Sequence, residues 1–208
     1  GNNLANANTI GFKSDFEQAR SMQAFGEGLP TRVFAMTERP GQNLQHGLLQ
    51  TTGRDLDVAV DGPGWIAVQD PNGAEAYTRM GNLQLNATGN LQTSTGLNVV
   101  DDAGQPIVLP LPMEKIEINR DGTISGRPEG AAANLPEDFQ RIKLVNPPEA
   151  DLVRGADGLF RQRNGQPAAA DERVKLASGT LEGSNVNVTD SMVNLISLAR
   201  QFEMQVKM

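Results

Sequence analysis

The chain has 208 residues, of which 18 are basic and 25 acidic, so its net charge is −7. This balance disfavours nucleic acid as a partner, because phosphate binding needs a basic face. No apolar run has the roughly 20 residues of a membrane span, and the absence of cysteine excludes disulfides, zinc–thiolate sites and thiol catalysis.

The first 52 residues are predicted to be an N-terminal linker segment of mixed structure. Apolar side chains recur at helical spacing over Phe12–Ala19, which predicts a short helix near Lys13–Met22. Thr31–Thr37 alternates in the manner of a strand, and Glu38–Gly41 contains a proline and is predicted to be a loop.

Residues 53–178 are predicted to form an all-β body domain, because the hydrophobic period changes to two at Gly53. Turn signals punctuate the domain at Asp70–Gly73, Asn86–Asn90 and Arg120–Gly122, while Gly126–Asp138 is predicted to be a loop. The predicted strands lie at residues 56–60, 65–69, 74–79, 83–85, 91–93, 98–100, 107–109, 116–118, 123–125, 142–145 and 174–176.

Residues 179–208 are predicted to be a C-terminal segment that leads into an amphipathic helix. Its apolar side chains are spaced 3, 4, 3 and 4, as in a coiled-coil seam, and they are Met192, Leu195, Ala199, Phe202 and Val206. Thr189 or Asp190 stands at the place of a helix N-cap. Because such a helix is marginal alone in water, we expect it to need a partner helix.

Few residues of the chain are candidates for a metal site. His46 has no second histidine or cysteine to complete a metal site, so it is interpreted as a loop residue. Asn119, Asp121 and Gly122 resemble a calcium-loop fragment, but the acid required six residues after the glycine is replaced by Pro128. A turn is the simpler interpretation, and no metal site is predicted.

Asp55, Asp57 and Asp61 could supply paired carboxylates, as a glycosidase requires. Asp55 and Asp57 are predicted to lie on a solvated strand face, and Trp65 is predicted to be core or half-buried hairpin packing. No catalytic residue and no cofactor site are therefore predicted, and the chain is expected not to be an enzyme.

Three separate stretches resemble the flagellar basal-body rod and hook protein family. They are Asn2–Lys13, with its Asn-Leu-Ala-Asn and Gly-Phe elements, Gly53–Gly96, with Asp-Leu-Asp-Val and Tyr-Thr-Arg-x-Gly, and Ser178–Ile196, with Leu-Glu-x-Ser-Asn-Val-Asn. They occur in the order of the family and span nearly the whole chain. Within the family, Trp65–Val68 and Arg200–Gln205 are similar to a proximal-rod member.

The resemblance implies that the N- and C-terminal helices pair as a coiled coil around the axis, with the β domain outside. The family's long first helix is missing here, so the partner of the C-terminal helix is expected upstream of Gly1. We therefore expect this chain not to polymerise normally, with its last helix exposed, frayed or borrowed by another copy. Asn2–Phe12 and Leu181–Val188 are expected to lie close together. The expected assembly interface comprises Asn2, Asn3, Leu4, Asn6, Gly11, Phe12, Met192, Leu195, Ala199, Phe202 and Val206.

The implied function is that of a structural subunit of the bacterial flagellar rod, in its proximal part. The expected partners are copies of the chain and other rod proteins, especially the distal rod protein, with no small-molecule substrate. Such subunits reach the periplasm-spanning rod through the flagellar secretion apparatus, without a cleavable signal. The alternative is a glycan-binding or glycan-cleaving β domain with Asp55, Asp57 and Trp65 at a groove.

Overall fold

The computed structural model describes residues 2–23, 33–130 and 136–206. Side chains are described in the same ranges, apart from residues 17–23, 33–40, 194, 198 and 201–206. Within these ranges the fold is mainly β, as predicted, with antiparallel strands and two α-helices.

The elements follow one another along the chain as α1 (Asn2–Ala5), β1 (Asp15–Gln23), β2 (Val33–Gln42), β3 (Leu49–Thr51), β4 (Val58–Asp61), β5 (Trp65–Gln69), β6 (Glu75–Thr78), β7 (Leu83–Leu85), β8 (Leu91–Thr93), β9 (Asn98–Val99), β10 (Met113–Ile118), β11 (Thr123–Pro128), β12 (Glu137–Arg141), β13 (Leu144–Val145), a 3₁₀ turn (Glu149–Asp151), β14 (Leu152–Arg154), β15 (Phe160–Gln162), β16 (Lys175–Ser178), β17 (Thr180–Glu182) and α2 (Val188–Val206).

The chain divides into two compact units that interleave in sequence. The first unit comprises Gly1–Asn8, Phe12–Gln45 and Ser184–Met208, and the second comprises Thr9–Gly11 and His46–Gly183. The first unit contains both α-helices, which contact each other, and the antiparallel ribbon of β1 and β2. The division into three segments at residues 52 and 178 remains a prediction.

In its described residues, the second unit contains four antiparallel sheets. The largest has the strand order β14-β15-β6-β5-β9-β8-β7, with β13 also paired to β5. The others are β10-β11-β12, β16-β4 and β17-β3. The largest sheet, the β10-β11-β12 sheet and the β16-β4 sheet share one hydrophobic core, to which Val60, Ile66, Leu91, Ile124 and Leu176 contribute from five different strands.

The hairpin of β5 and β6 shows how local signals build this unit. Asp70 Oδ1 accepts hydrogen bonds from the backbone N–H groups of Asn72 (2.8 Å) and Ala74 (2.9 Å), and so closes the predicted Asp70–Gly73 turn. The first four residues of β5 are buried, as expected of a strand with neighbours on both sides. The turn and both strands are therefore confirmed.

The helix predicted near Lys13–Met22 is wrong, because β1 occupies most of this stretch and pairs with β2. The loop predicted at Glu38–Gly41 is also wrong, since β2 continues through it. Proline is tolerated in an edge strand, where its missing N–H costs no hydrogen bond of the sheet. Both strands of a two-stranded ribbon are edge strands, so β2 can contain Pro40. Thr31, where the predicted strand begins, lies outside the described residues.

Two further predictions in the body need correction. The predicted loop at Gly126–Asp138 is shorter, because β11 continues to Pro128 and β12 begins at Glu137, while residues 131–135 lie outside the described ranges. The predicted strand at residues 107–109 is reduced to a single bridge between Val108 and Asn90. The sequence did not predict strands β3, β12, β14, β15 and β17.

Candidate assembly site at the signature motifs

In the first unit, the asparagines of the N-terminal motif bind the start of β1. Asn2 Nδ2 donates to Asp15 Oδ2 (2.8 Å). Asn3 exchanges two hydrogen bonds of 2.8 Å with the Asp15 backbone, accepting from its N–H and donating to its carbonyl. Asn6 Nδ2 donates to the carbonyl oxygen of Asn2 (3.0 Å). Asn3 and Asn6 therefore bind backbone groups at the starts of β1 and α1, and such side chain to backbone bonds are a common use of asparagine.

Asn185 of the C-terminal motif joins three stretches of the first unit. Its Oδ1 accepts from the N–H of Ser14 (2.7 Å), and its own N–H donates to the carbonyl of Phe12 (3.2 Å). Its Nδ2 donates to the carbonyl oxygens of Asn43 (2.7 Å) and Gln45 (2.8 Å). Asn185 therefore holds the N-terminal motif beside the end of β2 through its backbone N–H and its side-chain amide together.

In the second unit, a buried ion pair joins the second and third signature stretches. Arg79 of Tyr-Thr-Arg-x-Gly lies 2.8 Å from Glu182 of Leu-Glu-x-Ser-Asn (Nη1 to Oε2), and their side chains are 2% and 1% exposed. Arg79 Nη2 donates to the carbonyl of Gly62 (2.9 Å), and the guanidinium lies 5.3 Å from the ring centroid of Trp65. Burial lowers the pKa of the Arg79 guanidinium, and the Glu182 carboxylate acts in the opposite direction.

Glu182 also binds two other parts of the second unit. Its Oε1 accepts from the backbone N–H of Gly47 (2.9 Å), and its carbonyl oxygen accepts from the N–H of Gly11 (2.7 Å). Gly11 has φ +67°, and a Cβ there would lie 2.4 Å from the carbonyl carbon of Arg79, so only glycine fits. The predicted proximity of Asn2–Phe12 and Leu181–Val188 is confirmed.

Asn187 is the N-cap of helix α2, in place of the predicted Thr189 or Asp190. Its Oδ1 accepts from the backbone N–H groups of Thr189 (3.1 Å) and Asp190 (3.3 Å). Its Nδ2 donates to Asp190 Oδ2 (2.7 Å), which links the cap residue to a side chain of the first helical turn. The last asparagine of the C-terminal motif therefore starts the helix.

Helix α2 presents an apolar row that is about half exposed. Met192 and Leu195 are 49% and 46% exposed, and Ala199 is exposed as well. Val193 and Ile196, which the seam pattern did not include, are 57% and 52% exposed and widen this apolar face. The side chains of Phe202 and Val206 lie outside the described ones.

The residues of the glycan alternative do not form a groove site. Asp57 is 1% exposed, with Oδ1 3.2 Å from Arg54 Nη1 and Oδ2 accepting from Thr52 Oγ1 (2.7 Å), so its predicted solvated position is wrong. Asp55 is exposed. Trp65 is 4% exposed and packs on Phe160 with ring centroids 4.4 Å apart.

The remaining candidates stay as local structure. His46 lies in the loop between β2 and β3, with Nδ1 3.2 Å from Arg79 Nη1. The Asn119–Thr123 stretch is a turn, in which Asp121 Oδ1 accepts from the Thr123 N–H (3.0 Å). Across residues 2–23, 33–130 and 136–206, no cluster of three acidic or histidine side chains could hold a metal ion. In the same part of the chain, no helix combines the length and apolar character of a membrane crossing.

Comparison with known proteins identifies the family to which the chain belongs. The model of the flagellar hook protein FlgE/F/G D1 domain matches residues 59–126, and that of the flagellar basal body rod FlgEFG protein C-terminal matches residues 177–208. Together with the relatives below, these matches show that the chain belongs to the FlgE/F/G family of flagellar hook and basal-body rod proteins.

Within the family, the chain is similar to proteins named flagellar basal-body rod protein FlgF. The Escherichia coli K12 protein is 42% identical over 99% of this chain and 83% of its own length. The Caulobacter vibrioides protein is 32% identical over 100% and 83%. The Bacillus subtilis protein named FlgG is 32% identical over 98% and 84%.

These relatives confirm the predicted function at the level of a structural subunit of the flagellar basal-body rod, and the flagellar basal body as its location. Family membership also indicates assembly with other flagellar rod and hook proteins. Neither the described part of the chain nor the relatives support the glycan-binding alternative.

Proposed function

We propose that the chain is a non-catalytic subunit of the proximal rod and assembles axially through its terminal segments. The observation that carries the proposal is the apolar face of α2, which lies in the same unit as the N-terminal motif. Helix α2 is held at its start by the Asn187 cap, while Met192 and Leu195 remain about half exposed. A capped helix with an uncovered apolar face fits a subunit that is completed by neighbours.

The energetics favour association through this face. Full burial of a side chain such as Leu or Met contributes about 1.5–3 kcal/mol, so covering the exposed half of Met192 and Leu195 contributes roughly 1 kcal/mol each. Val193 and Ile196 add comparable amounts. A 19-residue helix is only marginally stable alone, so a partner helix would both cover the face and order the helix.

The expected partners are copies of this chain and neighbouring rod proteins, including the distal rod protein. The proposal includes export through the flagellar secretion apparatus and a place in the periplasm-spanning rod. A non-catalytic role is supported by how the charged signature residues are used. Asp57, Arg79 and Glu182 are buried in ion pairs and hydrogen bonds that hold the fold together.

The test compares Leu195→Asp with Ser197→Asp, which places the same charge on the opposite side of α2. Both residues are exposed, so neither change disturbs a packed core. In the source bacterium, Leu195→Asp is expected to abolish swimming and recovery of the chain in basal bodies, while Ser197→Asp retains both. Circular dichroism of the purified variants checks that the β fold is intact. Equal behaviour of the two variants would show that this face is not the assembly surface.

A further inference from the structure

The chain passes between the two units after Asn8, Gly11, Gln45 and Gly183. On the side of the second unit, three of these crossings lie next to Gly11, Gly47 and Glu182. In that unit Gly11 and Gly47 each bind Glu182, although the three residues are far apart in sequence.

Glu182 makes a different contact with each neighbour. Its carbonyl oxygen accepts from the N–H of Gly11 (2.7 Å), its Oε1 accepts from the N–H of Gly47 (2.9 Å), and its Oε2 is paired with Arg79 (2.8 Å). The next residue, Gly183, donates its N–H to the carbonyl of Leu48 (2.8 Å). Glu182 therefore binds Gly47 through its carboxylate and Gly11 through its backbone carbonyl, and so contacts residues beside three of the crossings.

A buried ion pair is weak evidence for stability, because desolvation of both charges offsets their attraction. A buried ion pair instead favours one arrangement of the segments that carry it, since a buried charge tolerates few alternative positions. Arg79 is itself oriented by the carbonyl of Gly62 (2.9 Å) and the ring of Trp65 (5.3 Å). The Arg79 guanidinium, which carries the charge facing Glu182, is therefore also held in place by Gly62 and Trp65.

We propose that the Arg79–Glu182 pair is a positioning clamp, which sets the spacing of the three crossings and contributes little to the stability of the second unit. Arg79 and Glu182 act as positioning residues in this view. The clamp is a property of the isolated chain and does not depend on the proposed place in the rod.

The test is hydrogen exchange of the purified chain with the double substitution Arg79→Met and Glu182→Gln. Glutamine keeps an oxygen that can accept from Gly47, so the substitution removes the ion pair without removing this acceptor. We expect amide exchange at Gly11 and Gly47 to rise about tenfold, while core amides in β5 change less than about twofold.

The matched control is another buried ion pair of the second unit, Lys143 and Glu75 (2.7 Å), whose side chains are 7% and 9% exposed. Lys143→Met with Glu75→Gln is expected to leave exchange at the crossings unchanged. Unchanged amide exchange at Gly11 and Gly47 in the Arg79/Glu182 variant overturns the proposal, because the glutamine at position 182 would then hold the crossings without an ion pair. A parallel rise at the crossings and in the core also overturns it, because the pair is then a general stabiliser.

If the double variant does not fold, Arg79→Lys gives the same comparison. Lysine keeps the charge but replaces the guanidinium fork with a single flexible ammonium group. Several-fold faster exchange at Gly11 and Gly47, with an unchanged core, is the expected result. Exchange equal to that of the parent chain contradicts the clamp.

Discussion

Gly11→Ala tests whether Gly11 is locked against Arg79 within the second unit. Gly11 has φ +67°, where an alanine costs roughly 1–2 kcal/mol. The new Cβ would lie 2.4 Å from the carbonyl carbon and 2.5 Å from the carbonyl oxygen of Arg79. The backbone must therefore move, at about 1–3 kcal/mol for overpacking. Losing the 2.7 Å bond to Glu182 adds about 0.5–1.5 kcal/mol, so the total destabilisation is roughly 2.5–6.5 kcal/mol.

Gly53→Ala is the matched control, because Gly53 has φ +72° and a Cβ there would lie more than 4 Å from every described atom beyond its chain neighbours. The free energy of unfolding of this variant is expected to fall only by the roughly 1–2 kcal/mol that alanine costs at a positive φ. Urea unfolding followed by fluorescence of Trp65, the single tryptophan, measures the free energy of unfolding of the second unit, which contains both glycines. If the two variants are destabilised equally, within about 0.5 kcal/mol, Gly11 is not locked against Arg79.

Three further outcomes are expected. Burial raises the pKa of Tyr77, the single tyrosine, to about 12 from 10.0, so its absorbance titration should shift upward in the folded chain and return to about 10 in denaturant; the associated stability is present below pH 10 and is lost as pH rises towards 12. Asn187→Ala should cost about 1 kcal/mol and reduce helical circular dichroism; an unchanged spectrum contradicts the cap. Arg161 holds the pKa of Asp70 below its usual 3.8, so Arg161→Met should destabilise the chain near neutral pH and progressively less as pH falls below that value; a deficit independent of pH contradicts the pairing.

The β body was predictable because its signals are local. Pro71 presets a turn, Asn72 and Gly73 complete it, and the flanking strands alternate or are continuously apolar. The structure confirms the β5–β6 hairpin on these grounds. The N-terminal hairpin was misread because the apolar spacing from Phe12 to Ala19 suits a helix, whereas the pairing of β1 with β2 is a tertiary choice that no local pattern shows.

The candidate site was predictable only in part. The resemblance brought together Asn2–Phe12 and Leu181–Val188, but the pairing of Arg79 with Glu182 spans 103 residues, and each residue alone reads as a surface charge. Asp57 was misplaced for a different reason: its partner Arg54 is only three residues away, but it lies in a stretch with no regular pattern. The cap of α2 was misassigned because three capping residue types fall within Asn187–Asp190 and only hydrogen bonds distinguish them.

The most direct measurement of the central claim is made on basal bodies isolated from the source bacterium. A strain lacking this chain and the same strain with the chain restored are compared by electron microscopy, and the chain is quantified in the isolated particles by mass spectrometry. The account predicts that the deletion strain does not swim and lacks complete rods, and that the restored chain is recovered in the particles in fixed proportion to other rod proteins. Complete rods and normal swimming without the chain, or basal bodies that do not contain it, would contradict the account.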